Sequence, residues 1–355
     1  MKNIAIFVST LGMGGAEKQA ALLANVLTKS YEVHFVVLKG DYEESETVKK
    51  LVEKSAVHIH LLSGGAIGAL IQFAKILKDN KVEVSFNYLT QCDFLGSIVE
   101  KKCGVKQIYN GIRNSYLEGW KTILERLSHN HIANATIFNC YSGKEFFIRC
   151  GLKADKCVTI PNCFPNIEKI ICRREKERKI IITIGRFVPQ KDYETAIKTM
   201  AELKKMRKDF LYFICGYGML EESIYEWIKR YDVGDVVEVH INPTNIPELL
   251  EQADVYFCTS FYEGTSNSIM EAMNWSLPIV ATNVGDNNRL VLEGKNGMLL
   301  SAGDAEGLAL SIDKLLENVE MRNAFGKTSN QILEENYSIE IFERRYLNLI
   351  ERKGL

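Results

Sequence analysis

The sequence predicts an α/β protein made of two Rossmann-like, doubly wound domains in tandem, with a cleft between them. A chain of 355 residues exceeds what one hydrophobic core usually holds. Short β-branched runs alternate with helical segments in both halves, which is typical of parallel sheets covered on both faces. A charged, proline-containing stretch interrupts this alternation near the middle and indicates a domain boundary.

The first domain is expected to span residues 1–163. Its first strand covers residues 4–9, and a glycine-containing turn then leads into a helix that extends to about Thr28, with Ala20, Leu23 and Leu27 at helical spacing. Further strands are predicted at 33–38, 57–62, 82–88, 107–112 and 136–140, with helices such as 67–78 and 117–128 between them.

Residues 164–178, which contain the run RREKER, are predicted to be a linker. The second domain is expected to span residues 179–336. Its predicted strands cover 180–184, 211–215, 236–240, 255–258 and 278–282, and its first helix covers 193–206. Residues 337–355 form a last helix with an apolar stripe, which we expect to pack across both domains.

Composition excludes several classes of protein. Hydrophobic residues make up 46% and charged residues 25% of the chain, and the formal net charge is −1, so we expect a globular protein that does not bind nucleic acid. Nine cysteines without a CxxC pair favour reduced thiols in a cytosol. The sequence shows no signal peptide or membrane-spanning run, so we expect a cytoplasmic protein, either soluble or peripheral on the inner face of the membrane.

Residues 261–281 contain the most informative polar stretch. Glu263 and Glu271 bracket a loop rich in hydroxyl and amide groups, and an apolar helical pattern follows directly. A helix N-terminus presents unpaired backbone N–H groups that favour an anion such as phosphate. A capped surface helix with two ordinary acids explains this stretch equally well when it is taken alone.

A second polar loop, residues 185–192, follows the first strand of the second domain. Arg186 and Lys191 frame its turn ahead of a helix and provide two cations for a diphosphate. The carboxyl ends of the strands are where doubly wound sheets bind ligands, so the active site is expected in the cleft between the domains. Taken alone, the two side chains are more simply explained as surface cations.

Three motifs together carry a resemblance that covers nearly the whole chain. GRFVPQKD at 185–192 is followed by EGTSNSIME at 263–271, and GMGGAEK at 12–18 follows the first strand. This order and spacing resemble the retaining GT-B glycosyltransferases that use nucleotide-sugars, the large Glu-x7-Glu family of group 1 type. The resemblance implies that Arg186 and Lys191 hold the donor diphosphate, that Glu271 binds the ribose hydroxyls, and that Glu263 lies beside the donor sugar.

The same resemblance implies further donor contacts. Gly185, Gly264 and the backbone amides of Ser268 and Ile269 would line the donor site, while Gly14 and Gly15 would let a loop of the first domain approach the sugar or phosphate. Retention would need no protein nucleophile, so Glu263, Arg186 and Lys191 are assigned catalysis through charge and positioning. No metal and no cofactor are expected.

The chain departs from the family pattern near the donor sugar. Arg113, followed by Asn114, stands where many relatives have a histidine, and we expect both residues to contact the acceptor or a sugar. Ser266 replaces a usual proline, and residues 241–243 replace a glycine that commonly follows the preceding strand.

The expected function is transfer of a hexose or N-acetylhexosamine from a nucleotide-sugar, with UDP as the expected nucleotide, to a glycan or polyprenyl-linked acceptor in surface polysaccharide or glycoconjugate synthesis. A non-catalytic sugar-nucleotide-binding protein is the main alternative. An NAD-dependent oxidoreductase fits less well, because Glu17 stands where the dinucleotide fingerprint needs Gly or Ala.

Two further features of the sequence have a simpler structural interpretation. Trp120, Ile123, Leu124 and Leu127 form an apolar stripe that could contact a membrane, although a core-facing stripe is the stronger interpretation. The pairs His58/His60 and His129/His131 lack accompanying ligands, so packing or exposure is expected and no metal is assigned.

Overall fold

The protein contains two parallel β-sheets flanked by helices. The structure, a computed structural model, describes residues 1–12, 15–39, 56–113, 117 and 119–352. The chain divides into two compact units, one formed by Met1–Pro165 with Ile339–Leu355 and the other by Asn166–Ser338. Within the described ranges, no helix is long and apolar enough to cross a membrane.

The first unit is built on a sheet with the strand order β3-β2-β1-β4-β5-β6-β7, in which every pairing is parallel. Its strands are β1 Asn3–Val8, β2 Glu32–Val37, β3 Val57–Leu61, β4 Val84–Asn87, β5 Gln107–Ile112, β6 Ala135–Phe138 and β7 Cys157–Thr159. Its helices are α1 Gly15–Leu27, α2 Gly65–Asp79, α3 Ser97–Cys103, α4 Gly119–His131 and α5 Tyr141–Arg149, with a π-helical turn at Cys92–Gly96.

Strand β1 shows why this unit forms a central parallel sheet. Ile4 and Ile6 belong to one hydrophobic cluster, whereas Ala5 and Phe7 belong to another, so the strand is buried on both faces. The last helix, Ile339–Glu351, adds Phe342, Tyr346 and Ile350 to the first of these clusters. The chain therefore returns to complete the core of its first unit.

The second unit repeats the architecture with the strand order β10-β9-β8-β11-β12-β13, again all parallel. Its strands are β8 Lys179–Ile184, β9 Phe210–Gly216, β10 Val237–Ile241, β11 Val255–Cys258, β12 Ile279–Thr282 and β13 Gly297–Leu300. Its helices are α6 Tyr193–Met206, α7 Glu221–Arg230, α8 Ile246–Gln252, α9 Asn267–Asn274, α10 Asn287–Leu290, α11 Ala305–Glu317 and α12 Val319–Tyr337; Ile339–Glu351 is α13.

The predicted α/β class with two doubly wound sheets is confirmed, and each predicted strand overlaps an observed one. Strands β7 and β13 were not predicted, because they have only three and four residues and therefore show little periodicity. The predicted domain limits, the 164–178 linker and the contact of the last helix with both domains stay predictions.

Candidate functional site

The two polar loops identified from the sequence lie side by side in the second unit. Strand β8 is paired with β9 on one side and β11 on the other, so the chain changes direction between β8 and β11. Loops that leave such a switch point form the usual ligand site of a doubly wound sheet. Phe261 N donates to Gln190 O at 2.8 Å, and Gln190 Nε2 donates to Tyr262 O at 2.7 Å, which joins the two loops.

Lys191 and Glu263 form a buried ion pair at this switch point. Lys191 Nζ lies 2.6 Å from Glu263 Oε1, and the two side chains are only 16% and 8% exposed. Ser260 Oγ donates to the same carboxylate oxygen at 2.7 Å. Burial by itself lowers the pKa of Lys191, but the charge of Glu263, the neighbouring Cys258 and the hydrogen bond to Glu263 together outweigh it, so the pKa is raised and the ammonium stays charged.

The backbone on both sides of Lys191 is fixed. Residues 189–191 form a 3₁₀ turn that begins at Pro189, and Asp192 then takes a left-handed conformation with φ 48°. Asp192 also caps helix α6, since its Oδ1 accepts from Thr195 N at 3.3 Å. Thr259 Oγ1 lies 2.9 Å from the carbonyl oxygens of both Lys191 and Asp192, so the loop after β11 holds the loop after β8.

Arg186 adds a second cation at the same loop. Its side chain is exposed, and it lies close enough to Lys191 to lower the pKa of that ammonium. Gly185, which precedes it, has little spare room, because an added Cβ would lie 3.2 Å from Lys191 Cε and 3.2 Å from Tyr193 Oη. The absence of a side chain at residue 185 therefore lets Lys191 lie against the backbone.

The start of helix α9 lies at the end of the β11 loop. Met270 N donates to Ser266 O at 3.1 Å as the first turn forms, and Ser266 Oγ and Ser268 Oγ are 3.3 Å apart. The amides of Ser268 and Ile269 belong to this first turn, where backbone N–H groups have no intrahelical acceptor. Gly264, half-buried, precedes the turn. This helix N-terminus suits an anion.

Glu271 lies one turn further along α9 and is half-buried. Tyr256 of β11 connects Glu271 to the rest of the site. The Tyr256 hydroxyl donates to Ile184 O at 3.3 Å. Burial raises its pKa well above the usual range, the negative charge of Glu271 adds to this shift, and a hydrogen bond with Ser268 opposes it. Glu271 and Ser268 therefore lie near Tyr256, against the carboxyl end of β8.

Two glycines outside the predicted site residues are required for this packing. Gly285 has φ +54°, and an added Cβ would lie 1.8 Å from Glu263 O. A Cβ on Gly216, at the end of β9, would lie 1.9 Å from Gly185 O. Their signal in the sequence was a glycine at or just after a strand end, where backbones approach closely.

The left-handed turn after β10 is formed by Asn242. It has φ 44°, and its N–H donates to Gly216 O at 2.8 Å. Asparagine adopts this conformation more readily than most residues. The glycine missing from residues 241–243 is thus replaced by a residue that keeps the turn.

The residues predicted in the first unit are placed only in part. Gly14 and Asn114 lie outside the described residues, while Gly15 is exposed and begins α1. Arg113 directly follows β5. Its Nη2 donates to Tyr346 Oη at 3.0 Å, and its guanidinium lies 4.6 Å from the centre of the Tyr88 ring. A sugar or acceptor contact for Arg113 and Asn114 stays a prediction.

The apolar stripe of α4 faces solvent, so the core-facing interpretation was wrong. Trp120, Ile123 and Leu127 are 61%, 50% and 44% exposed, whereas Glu125 and His129 on the other face are buried. The buried face of α4 packs against polar groups of the first unit, which explains why the polar side of the helix faces inward. His129, for instance, hydrogen-bonds Thr136 Oγ1 at 2.7 Å and Lys153 O at 3.0 Å.

The other histidine pair of the sequence analysis, His58 and His60, lies on the edge strand of the first sheet. His58 and His60 on β3 stack against His34 of β2. His34 Nδ1 lies 3.1 Å from His60 Nε2, and burial lowers the pKa of His34 to about 4. Across the part of the chain that the structure describes, no three His, Cys, Asp or Glu side chains are arranged to hold a metal ion.

Comparison with known proteins identifies the class of the second unit. Residues 167–332 match the family model described as "Glycosyl transferases group 1". The unit that carries the Lys191–Glu263 pair is therefore a group 1 glycosyltransferase domain, and the resemblance predicted from the sequence is confirmed.

Similar proteins cover nearly the whole chain. An uncharacterized glycosyltransferase of Haemophilus influenzae is 24% identical over 96% of this chain and 97% of its own. A Campylobacter jejuni α-1,4-N-acetyl-D-galactosaminyltransferase, named for an undecaprenol-diphosphate-linked substrate, is 23% identical over 99% and 98%.

Solved structures share the fold at low sequence identity. Anabaena HepE in complex with UDP aligns with a TM-score of 0.85 at 16% identity, covering 99% of this chain and all of that one. The lipopolysaccharide outer core galactosyltransferase WaaB aligns with a TM-score of 0.81 at 14% identity, with the same coverage. The predicted GT-B fold class is thereby confirmed.

Proposed function

We propose that the protein is a retaining glycosyltransferase that moves a hexose or N-acetylhexosamine from a UDP-sugar to a glycan or lipid-linked acceptor. The observation that carries this proposal is the buried Lys191–Glu263 pair, with Arg186 beside it, at the carboxyl ends of β8 and β11. The UDP complex of the structurally similar HepE supports the choice of nucleotide, and the name of the Campylobacter relative supports a lipid-linked acceptor.

The donor is held by charge and by backbone amides. An ammonium has three donors, so Lys191 can keep its contact with Glu263 and still donate to the diphosphate. Arg186 and the first amides of α9, at Ser268 and Ile269, supply further positive potential. Glu271 accepts hydrogen bonds from the two ribose hydroxyls, which a carboxylate can receive together.

Transfer proceeds on the face from which the diphosphate leaves. The bond between the anomeric carbon and the phosphate oxygen breaks, and its electron pair stays with the diphosphate, where Lys191 and Arg186 stabilise the growing charge. The acceptor oxygen bonds to the anomeric carbon, and its proton passes to a phosphate oxygen. Glu263 positions the sugar and stabilises its positive charge, so the reaction needs no protein nucleophile and no divalent metal.

The first unit is proposed to bind the acceptor. Arg113 and Asn114 are proposed to contact the acceptor or a sugar. Gly14 and Gly15 are proposed to let the loop before α1 come close to the donor's sugar or phosphate. The exposed stripe of α4 is proposed to rest on the inner face of the membrane, where a lipid-linked acceptor would be anchored.

The test is turnover by the purified chain with a panel of UDP-sugars. We expect UDP release from at least one donor, unchanged by EDTA, and an α-linked product from an α-linked donor by NMR of the new anomeric proton. Binding of UDP without any turnover would instead favour a non-catalytic sugar-nucleotide-binding protein. Inversion at the anomeric carbon would overturn the proposed mechanism.

A further inference from the structure

Ser260 is a buried hydroxyl residue behind the donor site. It lies two residues after the end of β11 and is 0% exposed, so a bound donor does not reach it. Its backbone is held from the neighbouring strand, because Thr282 Oγ1, at the end of β12, donates to Ser260 O at 2.6 Å. A group enclosed in this way can act on a ligand only through another side chain.

The Ser260 hydroxyl differs from other buried hydroxyls of the second unit in what it contacts. Thr183 and Ser329 donate to backbone carbonyl oxygens at 2.7 and 2.8 Å, as expected for groups that only satisfy the fold. Ser260 Oγ instead donates to the Glu263 carboxylate at 2.7 Å. A hydrogen bond to a carboxylate is stronger than one between neutral groups, so it holds the side chain more firmly.

The proton of the Ser260 hydroxyl has a defined direction. Ser260 Oγ also lies 3.4 Å from Cys258 Sγ, and either atom can donate in that contact. A hydroxyl has one proton and two lone pairs, whereas an ionised carboxylate can only accept. The Ser260 proton therefore points to Glu263, and the Cys258 thiol donates to Ser260. The contact with Glu263 thus has a supporting donor behind it.

Ser260 and Lys191 bind the same oxygen of Glu263. Lys191 Nζ lies 2.6 Å from Oε1, and Ser260 Oγ lies 2.7 Å from it. Two donors that converge on one oxygen fix the rotation of the carboxylate about its last bond. Among the described residues these donors share Oε1, which leaves Oε2 available to a ligand.

The two donors behave differently once a nucleotide-sugar is bound. The proposed function has Lys191 donate to the diphosphate, so its ammonium is shared between two anions and its contact with Glu263 weakens. The Glu263 side chain is only 8% exposed, so water cannot easily replace a weakened contact. Ser260 is out of reach of the diphosphate, and its hydroxyl stays on Glu263.

We propose that Ser260 is a positioning residue for the transfer reaction, which holds Oε1 of Glu263 while Lys191 serves the diphosphate, so that Oε2 faces the reacting sugar. The inference rests on the proposed glycosyltransferase function. It assigns the placement of the sugar-side carboxylate to a residue that does not itself touch the donor.

Steady-state kinetics on the full chain test this role. UDP release is measured from UDP-glucose, UDP-galactose, UDP-N-acetylglucosamine and UDP-N-acetylgalactosamine, with water as the acceptor. With the donor that turns over fastest, Ser260→Ala should lower kcat about tenfold, the size expected when one hydrogen bond to a charged group is lost. KM for the donor and calorimetric affinity for UDP should change less than about threefold, because Lys191 still reaches the diphosphate.

The matched control is Ser329→Ala. Ser329 is also 0% exposed and lies in the same unit, but it donates to a backbone carbonyl, so its loss should leave kcat unchanged. Ser260→Gly is a second variant that removes the same hydroxyl and should give the same kcat as Ser260→Ala. Thermal unfolding checks that each variant folds.

A double-mutant cycle separates positioning from a merely structural role. If Ser260 acts through Glu263, then Ser260→Ala should lower kcat by less than about twofold when Glu263→Gln is already present, because the charge that it positions is gone. A general disturbance of the site by Ser260→Ala would lower kcat equally in both backgrounds.

The outcomes distinguish this role from the proposed function. UDP binding without turnover in the unmodified chain would defeat the proposed function and the role of Ser260 together. Three results would overturn the role of Ser260 alone and leave glycosyl transfer intact. These are an equal kcat in Ser260→Ala, a tenfold loss that persists beside Glu263→Gln, and a loss that lies in UDP affinity instead of kcat.

Discussion

At the scale of single residues, Glu263 is held by two donors, Lys191 at 2.6 Å and Ser260 at 2.7 Å. Replacing it with glutamine keeps its shape and an oxygen for both donors but removes the charge that would stabilise the reacting sugar. We expect Glu263→Gln to lower kcat about 100-fold, the size found for one lost electrostatic contact. UDP affinity measured by calorimetry should change less than about threefold. A full loss of UDP binding would contradict the assignment of Glu263 to the sugar.

Gly285 offers a second residue-level prediction, on stability. Gly285→Ala should cost several kcal/mol, because its Cβ would overlap Glu263 O at 1.8 Å and its φ is +54°. Gly303→Ala is the matched control, since Gly303 has φ +82° but no atom within 4 Å of an added Cβ. The control should lose only about 1 kcal/mol from its backbone conformation. Equal losses in urea unfolding would show that the contact with Glu263 contributes nothing.

At the scale of elements, helix α4 has its polar face inward and its apolar face outward. We expect Trp120→Ser with Ile123→Ser to reduce co-sedimentation with vesicles containing phosphatidylglycerol by about tenfold, because each removes an exposed apolar anchor beside Lys121 and Arg126. Leu310→Ser, which removes a 55% exposed leucine from α11, is the control and should have no effect. Equal sedimentation of both variants would exclude a membrane role for α4.

Helix α4 also shows what sequence periodicity can and cannot predict. The spacing of Trp120, Ile123 and Leu127 correctly predicts a helix with an apolar stripe. It cannot tell which side the stripe faces, because that depends on the polar groups which the sheet brings beneath the helix. The buried strands were easier to predict from the sequence, since a run such as Ile4–Val8 is apolar on both faces.

The residues of the candidate site were likewise predicted from the sequence only in part. Arg186, Lys191, Glu263 and Glu271 stand in loops and a helix start that short motifs reveal. Ser260, Tyr256 and Gly285 were missed, because their importance comes from the order of β8, β11 and β12 in the sheet. Arg113 and Tyr346 are 233 residues apart in sequence, so no local pattern predicts their contact.

At the scale of the whole molecule, buried carboxyls should make stability depend on pH. Burial raises the pKa of Glu100 from 4.5 to about 7, so its contribution to the free energy of unfolding is present below about pH 4.5 and lost as pH rises through about 7. Histidines with a lowered pKa, such as His34, act in the opposite direction between pH 6.5 and about 4.

Comparing the unmodified chain with Glu100→Gln isolates the contribution of the Glu100 carboxyl to the pH dependence of the free energy of unfolding. Relative to the variant, the unmodified chain should lose on the order of 3 kcal/mol between pH 5 and pH 8, measured by urea unfolding. Ser85 donates to Oε1 of Glu100 and Asn87 donates to Oε2, so the single oxygen of glutamine can accept from only one of them at any pH. A difference that stays constant with pH would mean that Glu100 does not titrate in this range.

The central claim is that the second unit binds a nucleoside diphosphate through Lys191. Calorimetric titration of UDP into the full chain tests it most directly, with Lys191→Ala compared against Lys204→Ala, which removes a lysine that pairs with Asp235 at the same 2.6 Å. The structure predicts that UDP binds the unmodified chain and the control equally, and binds Lys191→Ala at least about tenfold more weakly. Unchanged affinity in Lys191→Ala would contradict the claim.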